Sequence, residues 1–157
     1  MPLIHMHVPQ GVLAETIKRE LYERVGSTVL EIEGGEDSPE SRSITWMFIN
    51  EIPAGGWAIG ADPEAVNGKP KFLTVVSVPQ GSLDEARNEL VVQRVNEVIT
   101  DVIGGDVGPT NNWCMINEIG EGNWGAGGKI YRLADIARFV GVDPDSERGR
   151  EVVTASA

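Results

Sequence analysis

The chain repeats itself. Pro9-Gln10-Gly11 returns as Pro79-Gln80-Gly81 at an offset of 70, and Ile49-Asn50-Glu51-Ile52 returns as Ile116-Asn117-Glu118-Ile119 at an offset of 67. Trp46 matches Trp113 and Trp57 matches Trp124 at that second offset. Two anchored matches in the same order mark a duplicated supersecondary unit. Within the first copy, residues 3–8 read as a strand ending at the Pro-Gln-Gly turn. Leu13, Ile17, Leu21, Val25 and Val29 then fall at helical spacing across residues 13–32, which predicts an amphipathic helix. Residues 34–41 are acidic and polar with Pro39 among them, a loop. Residues 44–52 read as a second strand, Pro53-Ala54-Gly55-Gly56 as a turn, and Trp57-Ala58-Ile59-Gly60 as a short strand or hairpin arm.

The second copy repeats that plan. Residues 72–78 form a strand, and Ser82-Leu83-Asp84-Glu85 has the form of a capping box with Ser82 as N-cap. The helix it opens should bury Leu83, Ala86, Leu90, Val91, Val95, Val98 and Val102, and Gly104-Gly105 ends it. Residues 113–119 give a fourth strand, followed by Gly122-Asn123-Trp124-Gly125. A unit of about 60 residues with two strands cannot cover its own apolar faces. Two such units predict an α+β fold, a four-stranded sheet with two helices on one face. Strands joined through a helix should run parallel within each unit. The expected division is a first β-α-β unit over residues 1–61, a linker over 62–70, a second unit with a short C-terminal helix over 71–141, and a flexible tail over 142–157.

Composition narrows the function classes. The formal net charge is −11, which argues against nucleic acid or an anionic membrane surface as partner. No run approaches the ~20 apolar residues that span a bilayer, and no basic-then-apolar leader opens the chain. Cys114 is the single cysteine, so no intrachain disulfide or cysteine metal cluster is possible. A cytoplasmic setting is expected. His5 and His7 share one strand face, but with no third ligand near them in sequence no metal site is expected. Gly125 to Gly128 lacks the ending and context of a phosphate loop.

Pro2 directly follows the initiator methionine. Removal of Met1 would leave a secondary amine, and an α-amino group titrates near ~8, a value suited to general acid–base work. Met-Pro alone marks nothing. With a β-α-β unit of this size and a Gly/aromatic hairpin after the second strand, however, the chain resembles the tautomerase superfamily. Its halves are similar to units of 4-oxalocrotonate tautomerase, so it looks like a fused, double-length version, related to the cis-3-chloroacrylic acid dehalogenase and malonate semialdehyde decarboxylase families and to the macrophage migration inhibitory factor (MIF) fold.

That resemblance implies a cofactor-free enzyme, a homotrimer around a three-fold axis, and a site at each Pro2 lined partly by a neighbouring subunit. It implies Pro2 as general base, moving a proton on small 2-keto or 2-hydroxy-dienoate carboxylic acids. An alternative keeps Pro2 as a charged acid for hydratase, dehalogenase or decarboxylase chemistry on small unsaturated or 3-oxo acids. Another is a catalytically idle binding member. The position matching Pro2 in the second copy is Phe72, which is internal and has no free amine. Where the resemblance places anion-binding arginines, this chain has Val12, Ser82, Trp46 and Trp113. Candidate substrate-binding residues are therefore Trp57, Trp124, Trp113 and Trp46 as aromatic walls, with Arg42 and Arg132 as cations near strand or hairpin ends. Asn50 and Asn117 are expected to hold the turns.

Overall fold

The computed structural model describes residues 2–34 and 36–155. Four strands, β1 (Leu3–Pro9), β2 (Trp46–Ile52), β3 (Phe72–Pro79) and β4 (Asn112–Ile119), form one sheet in the order β2-β1-β3-β4. β1 runs parallel to β2 and β3 parallel to β4, each pair linked through a helix. The two copies meet along an antiparallel β1–β3 seam that pairs Leu3 with Ser77 and His7 with Leu73.

Helices α1 (Glu15–Glu33) and α3 (Glu85–Ile103) cover one face. β1 alternates, sending Ile4, Met6 and Val8 into the core, and β3 contributes Phe72, Val76 and Val78. Against them pack Leu21, Val25 and Val29 from α1 and Val91, Val95, Val98, Ile99 and Val102 from α3. Each buried aliphatic side chain contributes about 1.5–3 kcal/mol, so this layer dominates the stability. Ala86 and Leu90, expected in the buried stripe, are exposed, and Ile99 lies in the core.

Both long helices end on a left-handed glycine, Gly34 with φ 84° and Gly104 with φ 76°, the usual αL termination. The N-cap of α3 is Asp84 rather than Ser82. The Asp84 carboxylate accepts from the Arg87 amide at 2.8 Å, and Ser82 is buried behind it with its carbonyl accepting from Arg148 Nη2 at 2.6 Å.

Two segments depart from the sequence reading. Within the expected loop, Ser38 caps a short helix, α2 (Pro39–Ser43), so β2 begins at Trp46 rather than at residue 44. The C-terminal residues expected to fray form α5 (Glu147–Ala155), packed beside α4 (Leu133–Phe139). Val152 and Gly149 are buried there, and a Cβ on Gly149 would stand 2.2 Å from the Asp143 carbonyl. Arg87 adds a 3.0 Å ion pair from α3 to Glu151. A small hairpin, β5 (Gly125–Ala126) with β6 (Lys129–Ile130), follows β4, and a single 3₁₀ turn (Glu64–Val66) lies in the segment between the copies. Among the described residues no helix is long and apolar enough to cross a membrane.

The face of the sheet away from α1 and α3 presents large exposed side chains. Trp46 and Trp113 are each 61% exposed on it, with Phe48 at 43% and Met115 at 47%. His5 stacks on Phe48 at 5.1 Å and lies 6.2 Å from His7 on the same face.

Candidate active site

The repeat fixes the turns first. After β1, Gly11 takes φ 79°, and its amide donates to Glu51 Oε1 at 2.9 Å. After β3, Gly81 takes φ 78°, and its amide donates to Glu118 Oε1 at 3.0 Å. The glutamates of the repeated Asn-Glu pair therefore hold the turns, a role expected of the neighbouring asparagines. Asn50 Nδ2 instead donates to His5 Nδ1 at 3.3 Å, and Asn117 Nδ2 donates to Ser77 Oγ at 3.3 Å. Lys18 adds a 2.9 Å ion pair to Glu51, and this pair together with Glu15 holds the Lys18 ammonium above its ordinary range.

Pro2 is buried immediately before β1, and its carbonyl accepts from the Trp46 amide at 3.2 Å. Beside it opens a cleft of about 410 Å³, within the lower range of small-molecule sites. Three chain segments converge on this cleft because β1 starts where β3 and β4 end. Leu3 and Trp46 come from the first copy, Ser77 and Ile119 from the second, and Asn123 and Trp124 from the chain entering the β5–β6 hairpin. Ser43 and Ile44, at the end of α2, complete the rim with Gly125 and Ala126.

Of the residues singled out from sequence, the structure brings Pro2, Trp46 and Trp124 together. Trp57 and Trp113 do not line this cleft. Trp57 follows Ile52, which pairs with Pro9, and Trp113 pairs with Leu73; both belong to the opposite end of the sheet. There they occupy the positions that the repeat matches to Trp124 and Trp46, and Phe72, 2% exposed, stands where the first copy has Pro2. The two arginines are also elsewhere. Arg42 forms a two-point pair with Asp37, with Nη2 at 2.8 Å from Oδ2, which lowers the Asp37 carboxyl below its usual range. Arg132 pairs with Glu121 at 3.3 Å.

The sequence reading missed Ser43, Ser77, Ile119 and Asn123. Ser77 is the strand partner of Leu3, a neighbour that only the β1–β3 register reveals. Among the described residues the cleft lining carries hydroxyl and amide groups but no charged side chain. Trp46 cannot offer its indole N–H to a ligand without breaking the 3.2 Å bond it donates to the Ser43 carbonyl. Among the described residues no group of three or more His, Cys, Asp or Glu is placed to hold a metal ion. Cys114 lies in β4 outside the cleft, and burial pushes its thiol up to about 11.

No family model matches the chain, and no curated protein matches it. Solved structures do. A fused 4-OT forming an asymmetric trimer superposes with a TM-score of 0.66 at 20% identity, covering 88% of this chain and 98% of that one. Pt0534 inactivated by 2-oxo-3-pentynoate gives 0.67 at 17% identity, covering 84% and 97%. N1, a member of the cis-3-chloroacrylic acid dehalogenase family, gives 0.67 at 14% identity, covering 97% and 99%. The α+β fold of this chain is the tautomerase/MIF-like fold of these structures.

Proposed function

We propose that this chain is a tautomerase-superfamily enzyme, a cofactor-free tautomerase that uses the Pro2 amine as general base. One observation carries the reading: Pro2 is buried at the head of β1 and lines a cleft walled by two tryptophans. Once Met1 is removed, the ring nitrogen becomes an amine on that wall. Burial disfavours an ammonium relative to a free amine, the direction that a general base needs. The ring fixes the nitrogen's direction, which lowers the entropy lost on reaching the transition state.

The substrate class is a small enolisable 2-oxo compound of the 2-keto or 2-hydroxy-dienoate kind. The amine takes the enol hydroxyl proton and returns it to carbon, so the C=C bond becomes C–C as C–O becomes C=O. No atom is gained or lost. Among the described residues that line the cleft within one chain none is cationic, and Arg42 and Arg132 are paired with Asp37 and Glu121.

The working unit is a homotrimer. The bare sheet face carries Trp46, Phe48, Trp113 and Met115, and packing copies face to face removes it from water. A fused 4-OT of similar fold is itself an asymmetric trimer. A second reading, Pro2 as a charged acid protonating an unsaturated acid while water adds, draws on the N1 superposition. It needs a group to activate water, and among the described residues of one chain the cleft lining offers no carboxylate or histidine for that role.

The test is covalent. Incubating the processed protein with 2-oxo-3-pentynoate, an electrophile that traps an amine by conjugate addition, should abolish enol ketonisation and add one mass increment to the peptide beginning at Pro2. Labelling confined to other residues, with ketonisation intact, would remove Pro2 from the mechanism. Sedimentation equilibrium at micromolar concentration should give three times the chain mass, and a monomer mass would count against the assembly.

A further inference from the structure

The cleft wall that carries Trp124 is built on a loop whose two ends are tied together. Residues 122–131 leave the end of β4, run through β5 and β6, and arrive at α4. Four of them, Asn123, Trp124, Gly125 and Ala126, line the cleft with Pro2. The bonds inside the loop are main-chain ones. The Tyr131 amide donates to the Trp124 carbonyl at 2.8 Å, and Gly125 and Ala126 pair with Ile130 and Lys129. A two-stranded hairpin is marginal on its own in water, so its place over the cleft depends on how its neck is fastened.

Glu121 fastens that neck. Its Oε1 accepts from the Leu133 amide at 2.9 Å, and its Oε2 lies 3.3 Å from Arg132 Nη1. Its own amide donates to Gln80 Oε1 at 3.3 Å, which ties the same residue to the turn after β3. One side chain thus joins the residue before the loop to the two residues after it. Leu133 opens α4, and the first amides of a helix have no partner within it. A carboxylate accepting from such an amide makes a charge-assisted bond, stronger than a neutral one. The Arg132 contact adds little, because that guanidinium side chain is 63% exposed. Glu121 itself does not line the cleft.

Resting on the reading that the Pro2 cleft is the active site, we propose that Glu121 is a positioning residue: its carboxylate clasps the neck of the 122–131 loop and so sets where the Trp124 ring stands relative to Pro2. Without the clasp the wall keeps its composition and loses its place. Ligand binding then weakens, while chemistry at the Pro2 nitrogen does not, because β1 and the Trp46 amide hold Pro2 independently of the loop.

Two measurements test this, and the first is independent of Pro2. Acrylamide quenching of tryptophan emission in the assembled protein reads the exposure of Trp124. Glu121→Ala should raise the quenchable emission, and the rise should vanish when Trp124→Phe is also present. Unchanged quenching, or a rise that survives Trp124→Phe, overturns the clasp. The second is labelling of Pro2 by 2-oxo-3-pentynoate. A misplacement of about 1 Å can cost about 100-fold; Glu121→Ala should raise the half-saturating concentration about tenfold and leave the saturating rate within about twofold. In a Trp124→Ala background Glu121→Ala should add nothing, since the wall it places is gone. Additive losses, or a fall confined to the saturating rate, overturn the proposal. Glu121→Gln keeps an acceptor for the Leu133 amide and should restore most of the affinity; a Gln variant as weak as Ala overturns the amide bond as the clasp. Absence of Pro2 labelling in the wild type defeats the base assignment instead, and quenching then judges the clasp. Should Glu121→Ala fail to assemble, Gln80→Ala, which frees only the Glu121 amide, should raise the quenching in smaller measure, and no change there overturns the proposal.

Discussion

Gly11 and Gly81 are the same position in the two copies, with φ 79° and 78° and the same carboxylate clamp, yet alanine should not cost the same at both. At Gly11 a Cβ meets nothing within 4 Å. The substitution there pays only for the left-handed conformation, roughly 1–2 kcal/mol. At Gly81 the Cβ would stand 2.6 Å from the Cβ of Ala155 at the end of α5, a distance that real carbon pairs do not reach. Overpacking of this kind adds roughly 1–3 kcal/mol. Ala155→Gly removes the clashing atom and leaves contacts no closer than 3.7 Å. In a double-mutant cycle, Gly81→Ala should therefore lose roughly 2–5 kcal/mol in the wild-type background. With Ala155→Gly present, it should fall back to the Gly11→Ala value, a favourable coupling of roughly 1–3 kcal/mol. Urea unfolding at one fixed protein concentration gives the free energies, and about 2–4 °C of thermal midpoint per kcal/mol provides a second readout. Equal losses at Gly11 and Gly81, or a Gly81→Ala penalty that ignores Ala155, would show that α5 does not dock against the second turn.

Other outcomes follow from the site and the bare sheet face. Trp124→Ala should raise KM more than it lowers kcat, as expected for a wall that binds ground and transition states alike, while Trp57→Ala at the opposite end should leave both unchanged; matching effects in the two variants would contradict the placement of the cleft. Burial, reinforced by the neighbouring His5, holds His7 below the ordinary imidazole value, so its contribution to stability is present above about pH 6.5 and is lost as the pH falls through the lowered folded value. The urea midpoint of the wild type should accordingly fall on acidification below that point, and His7→Gln should flatten the fall; an unaltered slope would rule His7 out as its source. Cys114, with its thiol pushed up to about 11 by burial, should resist alkylation at pH 8 in the native protein, and complete modification within minutes would mean the strand is open.

The repeat made the four strands, the two long helices and the parallel pairing within each copy legible from sequence. An offset shows which residues are equivalent but not how the copies face each other. The antiparallel β1–β3 seam carries the end of the second copy to the start of the first, so Trp124 joins Pro2 and Trp46 while Trp57 and Trp113 are left with Phe72. For the same reason Ser77 could not be recognised as a neighbour of the proline. Ser82 reads as the N-cap of α3 in the sequence, but Asp84, two residues on, is an equally good cap, and a helix starting at Glu85 gives it the role. α5 left little trace in the sequence because its buried positions are a glycine and a single valine, Gly149 and Val152. Charge pairing was also hidden. Arg24, which looks solvated on a helical wheel, lies 2.6 Å from Asp101 on the facing helix.

Catalysis by the Pro2 amine is tested most directly at the nitrogen itself. Protein processed to begin at Pro2 is compared with protein that retains an N-terminal extension, in which the same nitrogen is an amide without basicity. Circular dichroism and sedimentation establish that the two share fold and assembly, and ketonisation of an aryl enol is then followed in each. General base catalysis of this kind contributes about 10²–10⁴-fold, so the extended protein should fall by at least the lower figure. Equal rates in the two preparations would contradict the assignment of Pro2 as the base.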